Sequence, residues 1–259
     1  MQTSRRRLEE LLWALGLSRV TAPLWEKLRG GKAKRQSQLM GDFYSALLPK
    51  GALVFDIGAN VGTMTRVFSA LGARVVAVEP NPDCARHIEL AAYGDKVEVL
   101  HAAVGEANGL AVLKVSDRKD KMSSVSEEWR AAVSNENADY VGMWKREVTV
   151  PTVTLDALAS RYGEPFYIKI DVEGYEEQVV KGLSQCPSLL SFEFNRVFLK
   201  PARRALDNAI FDDATFNYTL VDPVRFELRE WVGRDEVKKA ILGLVDGPGL
   251  GDIFVRRRS

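Results

Sequence analysis

The sequence predicts an α/β protein built on a doubly wound, mostly parallel β-sheet. Short apolar runs rich in β-branched and aromatic residues alternate with helical segments from residue 52 onward. Strands and helices that alternate in this way form parallel sheets with right-handed crossovers. The length of 259 residues, with 46% hydrophobic and 27% charged residues, suits one domain of this class. We therefore expect a single domain over residues 1–259.

The first part of the alternation is the most regular. The apolar run 53–57 follows Pro49 and Gly51, which is typical of the start of a buried parallel strand. Gly72 and Gly94 are residues of the type that ends a helix. The elements expected here are strand 53–57, helix 63–71, strand 74–78, helix 82–92 and strand 97–100.

An excursion then interrupts the alternation. Strands are expected at 110–115 and 147–150, and the stretch 116–147 between them is polar. A long excursion inside a compact domain is usually a lid or a binding loop, so 116–147 is predicted to be a lid or substrate insertion. The alternative is an insertion that only packs Trp129 and Trp144 on the scaffold. The elements expected after it are helix 155–162, strand 166–170, helix 175–183, strand 189–194, and strand candidates at 218–221 and 253–255.

Residues 1–45 are predicted to form a helical cap, because Leu8, Leu11, Leu12 and Leu15 recur at helical spacing. Nine Lys/Arg against three Asp/Glu lie between positions 5 and 35. The favoured interpretation is a solvated cap that packs its leucines on the domain. The alternative is a surface for an acidic partner or anionic lipid.

Composition excludes several classes of function. The net charge of +1 provides no general field for nucleic acid. Two cysteines without CxxC spacing argue against a disulfide framework and a structural zinc site. No apolar stretch is long enough to span a membrane, and Glu9 and Glu10 interrupt the one segment that resembles a signal peptide. We expect a cytoplasmic protein without stable membrane insertion.

The strongest motif is the segment 54–62, which reads VFDIGANVG. It places Asp56 at a strand end, followed by Gly58 and Gly62 before a helix. In an open α/β sheet such a loop lies where ligands bind. The loop lacks the G-x-G-x-x-G pattern of an NAD site, since Asn60 stands at the second glycine position. A carboxylate at position 56 would repel a pyrophosphate but suits the ammonium of S-adenosyl-L-methionine (SAM), so the loop favours SAM.

A second carboxylate, Glu79, ends the next predicted strand, where it can accept hydrogen bonds from both ribose hydroxyls. Small residues at 102–104 follow the third strand and leave room for adenine. His101 beside them is interpreted as structural. The residues predicted to bind the cofactor are Asp56, Gly58, Asn60, Gly62, Thr65, Glu79, Pro80, Asn81, Ala102, Ala103 and Asp171.

The segment 169–174, KIDVEG, supplies the candidate catalytic residues. A hydroxyl acceptor needs help to lose its proton, and Asp171 is predicted to act as the base, with Glu173 as its helper. Lys169 is predicted to hold the carboxylates ionised or to stabilise a developing alkoxide, and Glu193 is a further candidate. The alternatives are a structural ion pair between Lys169 and Asp171 and a helix-terminal charge at Glu173. Three acidic groups are of the kind that Mg²⁺ binds, but no metal site is predicted.

Several of these segments together resemble the FkbM family of methyltransferases. The resemblance extends over about 52–195, and 251–254 (GDIF) is similar to the closing segment of that family. The segments are 55–62 (FDIGANVG), 78–82 (VEPNP), 102–105 (AAVG), 153–156 (VTLD) and 168–176 (IKIDVEGYE).

The resemblance implies a Rossmann-like sheet of seven strands, the last of them antiparallel, and a SAM-binding and catalytic core at 52–195. It also implies O-methylation of a hydroxyl on a sugar, natural product or other small molecule. The regions 1–45 and 116–147 lie outside the matching motifs and are expected to set the substrate. Two alternatives remain open: an NAD-dependent oxidoreductase and a SAM-binding protein without catalysis. A nucleic-acid substrate is not expected, and a homo-oligomer is compatible with the sequence.

Overall fold

The computed structural model describes residues 31–91, 94–116, 123–136, 140–196, 198–220, 225–244 and 249–258. The strands are β1 Leu53–Ile57, β2 Arg74–Val78, β3 Val97–Leu100, β4 Ala103–Val104, β5 Gly109–Val115, β6 Ser123–Ser124, β7 Arg146–Val153, β8 Tyr167–Ile170, β9 Leu189–Asn195, β10 Ala214–Leu220 and β11 Leu250–Arg257. The α-helices are α1 Gly31–Ser45, α2 Thr63–Ala70, α3 Pro82–Leu90, α4 Glu127–Glu136, α5 Leu155–Tyr162, α6 Glu176–Lys181, α7 Lys200–Leu206 and α8 Arg234–Leu242.

Seven strands form the main sheet in the order β3-β2-β1-β8-β9-β11-β10. All neighbouring pairs are parallel except those of β11, which runs antiparallel to both β9 and β10. The predicted α/β fold is therefore confirmed, including its antiparallel last strand. Every residue of β8 is buried, as expected for a central strand covered on both faces. Since β2, β1, β8 and β9 run parallel, the loops after them meet at one edge of the sheet, where ligands bind in folds of this class.

The excursion forms a second, four-stranded sheet in the order β4-β7-β5-β6. Its two long strands, β5 and β7, are antiparallel and contain the predicted strands 110–115 and 147–150. The sequence analysis missed α4, which buries Trp129 and Val133 on one face, at the i, i+4 spacing of neighbours on a helix. Residues 117–122 and 137–139 of the insertion lie outside the described residues.

The N-terminal helix α1 confirms the predicted helix over 31–45, whereas residues 1–30 and their leucines lie outside the described residues. Helix α1 buries Met40 and Tyr44. The Tyr44 ring meets Phe68 edge-on at a centroid distance of 5.0 Å and lies 5.8 Å from the ring of Tyr167. Aromatic pairs in this geometry stabilise a core beyond their buried area. Helix α1 is therefore part of the core on one face of the main sheet.

The region after β9 was the least completely predicted. Helices α7 and α8 were missed. The strand candidate at 253–255 lies within the eight-residue β11, and residues 218–220 of the candidate at 218–221 lie in the seven-residue β10, whereas residue 221 lies outside the described residues. The predicted strand began too late because Asn217 is polar, although it is buried inside β10. Its amide donates to the backbone oxygens of Leu228 and Glu230. None of the helices in the described part of the chain has the length and apolarity needed to span a lipid bilayer.

Candidate active site

Two neighbouring cavities open at the carboxyl edge of the main sheet. The first, called the nucleoside cavity because it contains the residues predicted to bind the ribose and adenine, has a volume of about 160 Å³. The second, called the acceptor cavity because it contains the ion pair of the predicted catalytic residues Lys169 and Asp171, has a volume of about 330 Å³. Four residues line both cavities, so they form the wall between them: Gly58, Asn60, Asp171 and Glu193.

Gly58 is required where the loop after β1 passes the end of β8. Its φ of +78° lies in the left-handed region, and a Cβ added there would lie 1.8 Å from the carbonyl oxygen of Asp171. The backbone N–H of Asp171 also donates to the oxygen of Ile57 over 2.9 Å. No residue other than glycine fits a contact this close. The glycine predicted as a cofactor contact therefore also sets the position of Asp171.

Glu79 lies in the nucleoside cavity at the end of β2, as predicted for a ribose-binding carboxylate. Its two oxygens accept hydrogen bonds from the backbone N–H groups of Asn60, over 2.7 Å, and Asn81, over 2.8 Å. Burial raises the pKa of Glu79 to about 7, although these two hydrogen bonds oppose the shift. Asn60 has a φ of 51°, a left-handed conformation that asparagine tolerates better than most residues.

Asp56 lies in the wall of the acceptor cavity, with only 2% of its surface exposed. Its Oδ2 accepts a 2.6 Å hydrogen bond from the Thr65 hydroxyl. Burial raises the pKa of Asp56, while Lys169 and Thr65 act in the opposite direction. Thr65 itself is fully buried and acts on the site by holding Asp56. Gly62, with a φ of 78°, is the residue before α2 and allows the chain to turn into that helix.

The remaining predicted cofactor residues divide into two groups. Pro80, Ala102 and Ala103 line the nucleoside cavity, where small residues leave room for a planar ring. Asn81 is buried beneath it and caps α3, because its Oδ1 accepts from the backbone N–H of Asp83. The Asn81 amide also donates to the Ser123 hydroxyl over 3.1 Å.

Lys169, which is buried, and Asp171, which is partly exposed, form an ion pair at the acceptor cavity. The Lys169 Nζ donates to the Asp171 Oδ2 over 2.8 Å, and 6% of the lysine side chain is exposed against 36% of the aspartate side chain. Burial lowers the pKa of Lys169, but three neighbouring carboxylates outweigh it and hold this pKa well above its ordinary value. They are Asp171, Asp252 and Asp56. Lys169 therefore stays charged and holds the more accessible Asp171 in place.

Glu173 and Glu193 occupy different parts of the site. Glu173 lines the nucleoside cavity and has a φ of 54°, so the backbone turns away from the strand direction after Asp171. Glu193 lines both cavities. Burial raises the pKa of Glu193 well above its ordinary value, and Asp171 and Glu173 act in the same direction.

Several lining residues lie outside the predicted cofactor-binding and catalytic set. The nucleoside cavity includes residues 123–125 of the insertion and Tyr175, and the acceptor cavity includes Met40 of α1 and Asp252 of β11. The GDIF segment was the only sequence signal for Asp252. In the described part of the chain, no group of three or more His, Cys, Asp or Glu residues has an arrangement that could hold a metal ion.

Comparison with protein families decides the class of this site. The domain described as "Methyltransferase FkbM domain" matches residues 56–218, which is more than half of the chain. The chain belongs to the FkbM methyltransferase family. Membership makes it a SAM-dependent methyltransferase and sets the oxidoreductase alternative aside. A comparison with curated proteins finds no match.

Several solved methyltransferase structures are similar to this chain at low identity. Precorrin-6y C5,15-methyltransferase from Geobacter metallireducens is 12% identical, with 83% of this chain and 85% of that chain covered and a TM-score of 0.43. A TehB-like SAM-dependent methyltransferase from Corynebacterium glutamicum is 11% identical, with 85% and 88% covered and a TM-score of 0.41. A putative RNA methyltransferase from Pyrococcus horikoshii is 11% identical, with 87% and 84% covered and a TM-score of 0.44.

The residues at the carboxyl edge fit SAM as their cofactor. The nucleoside cavity presents a carboxylate, Glu79, at the end of β2 and small side chains, Ala102 and Ala103, at the end of β3. Gly58 keeps the loop free of a side chain where the backbone must pass closely. The acidic wall around Asp56 and Asp171 suits a ligand that carries an ammonium and a sulfonium.

Proposed function

We propose that this methyltransferase methylates a hydroxyl group on a small metabolite, a sugar or a natural product. The observation that carries the proposal is the Lys169–Asp171 pair, which holds a partly exposed carboxylate in the wall between the two cavities. SAM supplies a methyl group on a good leaving group when it is bound, so the chain mainly has to align the acceptor and receive its proton.

The cofactor is proposed to span the wall between the cavities. Glu79 would accept hydrogen bonds from the ribose hydroxyls, and Pro80, Ala102 and Ala103 would contact the adenine. The acidic groups Asp56 and Asp171 would face the charged methionine part. This assignment is supported by the side chains that line each cavity.

Asp171 is proposed to be the general base. It is the most accessible carboxylate of the Lys169 network, since 36% of its side chain is exposed against 10% for Asp252. Lys169 fixes the carboxylate and, as a cation, would stabilise negative charge on the acceptor oxygen. Glu193, whose pKa burial raises well above its ordinary value, would donate a hydrogen bond to the acceptor when it is protonated.

The acceptor cavity supports a small substrate. Its volume of about 330 Å³ lies at the lower end of the usual range for small-molecule sites. The wall is mixed, with Met40 and Leu250 beside the charged groups, which suits a molecule with both polar and apolar faces. The described basic residues form no cluster at this cavity, and a nucleic-acid acceptor is not part of the proposal.

The test is a methylation assay with a panel of sugars, phenols and other hydroxylated metabolites, read by mass spectrometry of the products. Asp171→Asn is expected to lower the turnover at saturating SAM by about a hundredfold to ten-thousandfold, the usual contribution of a general base. Asp95→Asn, an exposed change on the loop before β3, is the control. Full turnover by Asp171→Asn would rule out its role, and SAM binding without any methylated product would favour a non-catalytic protein.

A further inference from the structure

A short segment of the insertion connects the nucleoside cavity to the loop that carries Asp171. We call residues 123–130 the loop clamp and residues 171–176 the catalytic loop. At one end of the clamp, the Ser123 hydroxyl accepts from the amide of Asn81 over 3.1 Å. The backbone N–H of Asn81 in turn donates to Glu79 over 2.8 Å. The clamp is therefore tied to the carboxylate at the end of β2.

The next residue of the clamp holds the catalytic loop directly. The Ser124 hydroxyl donates a 2.8 Å hydrogen bond to the carbonyl oxygen of Glu173, and it accepts one from the backbone N–H of Ser126 over 2.9 Å. Ser124 is 1% exposed, so these bonds are shielded from water. Glu173 has a φ of 54°, a conformation that a non-glycine residue keeps only when its surroundings impose it.

The helix that follows packs against the same loop. Trp129 lies so close to Gly174 that a Cβ at position 174 would be 2.5 Å from the Cβ of Trp129. Gly174 itself has a φ of +89°. Two consecutive residues of the catalytic loop are therefore left-handed, and both contact the clamp, one through a hydrogen bond and the other through the tryptophan.

The loop also has a support of its own. Glu176 accepts from the backbone N–H of Gly174 over 3.0 Å, and burial raises the pKa of this carboxyl to about 7. This bond closes the loop locally but does not reach the nucleoside cavity. A route of hydrogen bonds from Glu79 to the carbonyl of Glu173 runs by Asn81 and the two clamp serines.

We propose that Ser124 is a positioning residue through which the loop clamp holds the catalytic loop, so that the nucleoside cavity and Asp171 form one unit. Its catalytic consequence rests on the proposed function, because it assumes that Asp171 receives the proton. The insertion then acts first on the cofactor side of the site, where residues 123–125 line the nucleoside cavity.

The test compares Ser124→Ala with Ser126→Ala by amide hydrogen exchange of the full chain and by titration with S-adenosylhomocysteine. Ser126 accepts from the backbone N–H of Trp129 at the start of α4, so its loss weakens the helix but leaves the bond to Glu173 in place. For Ser124→Ala we expect exchange in residues 171–176 to be about tenfold faster and S-adenosylhomocysteine binding to be about five- to tenfold weaker, the effect of one buried hydrogen bond. For Ser126→Ala, the exchange rate in residues 171–176 and the affinity for S-adenosylhomocysteine are both expected to stay within about twofold of the wild type.

Equal behaviour of the two variants in residues 171–176 would overturn the proposal. A measurement on the wild type alone keeps the test informative if a variant fails to fold. S-adenosylhomocysteine should slow exchange in both 123–130 and 171–176, and protection of the first segment alone would also overturn it. If the wild type does not bind S-adenosylhomocysteine, the proposed cofactor site is wrong, whereas the exchange comparison of the free proteins still tests the clamp.

Discussion

At the scale of single residues, the site depends on a few side chains whose chemistry is set by burial. Glu79, Asp56 and Glu193 are carboxyl groups whose pKa values burial raises, whereas Lys169 stays charged because it faces several of them. The sequence indicated the position of Glu79 and Asp171 through strand ends, but it could not indicate these shifts. A pKa in a folded protein depends on neighbours that are distant in the chain.

The close contact at Gly58 gives a residue-scale prediction with a matched control. Gly58→Ala adds a Cβ at φ +78°, 1.8 Å from the Asp171 carbonyl oxygen. Gly72→Ala adds one at φ +85°, with no described atom within 4 Å. In both variants the left-handed backbone should lower the free energy of unfolding by about 1–2 kcal/mol. The steric clash in Gly58→Ala should lower it further and abolish SAM binding. Urea unfolding and SAM titration check this, and equal stability losses would contradict the account of Gly58.

The pKa of Glu79 predicts a pH-dependent affinity. Because this pKa is raised to about 7, Glu79 takes up a proton as the pH falls through 7 and would lose the charge that is proposed to accept the two ribose hydroxyls. The affinity for S-adenosylhomocysteine should therefore fall by up to about tenfold per pH unit below pH 7. Titrations from pH 8 to pH 6 measure it.

The controls separate Glu79 from other groups that titrate. Glu79→Gln should bind weakly at all pH values and lose the pH dependence. Glu98→Gln, an exposed change in β3, should keep the wild-type profile. A flat profile for the wild type would show that Glu79 stays ionised or does not contact the ligand.

At the scale of elements, strands and helices with a clear apolar period were predicted well. β1, β2, β3 and α5 have the predicted bounds, because their residues alternate with glycine, proline or polar loops. Helix α4 was missed because its two buried residues, Trp129 and Val133, lie in a segment with little apolar character. β10 was shortened in the prediction by the buried Asn217, whose hydrogen bonds involve residues 228 and 230.

Contacts between elements determine which side chains meet at the site, and the sequence alone could not predict these contacts. Asp56, Asp171 and Asp252 are far apart in sequence, and they converge on Lys169 only because β1, β8 and β11 lie in one sheet. The insertion was predicted as a lid or substrate element. Its described residues 123–125 line the nucleoside cavity, a placement that depends on the second sheet, in which β6 pairs with β5.

At the scale of the whole molecule, side chains from distant parts of the described chain meet at one edge of the main sheet. Helix α1 contributes Met40, the insertion contributes residues 123–125, and β11 contributes Asp252. The fold and the family motifs could be predicted because they depend on local pattern. The acceptor could not, because the cavity that would hold it combines motif residues with Met40 of α1 and Leu250 of β11, and their convergence depends on the tertiary fold.

The most direct test of the central claim is calorimetric titration of SAM, and in parallel of NADH, into the wild type and into Asp56→Ala/Glu79→Ala. The account predicts that SAM binds with micromolar affinity, that NADH does not bind, and that the double variant loses SAM binding while it remains folded by circular dichroism. Binding of NADH without SAM, or unchanged SAM binding by the double variant, would contradict it.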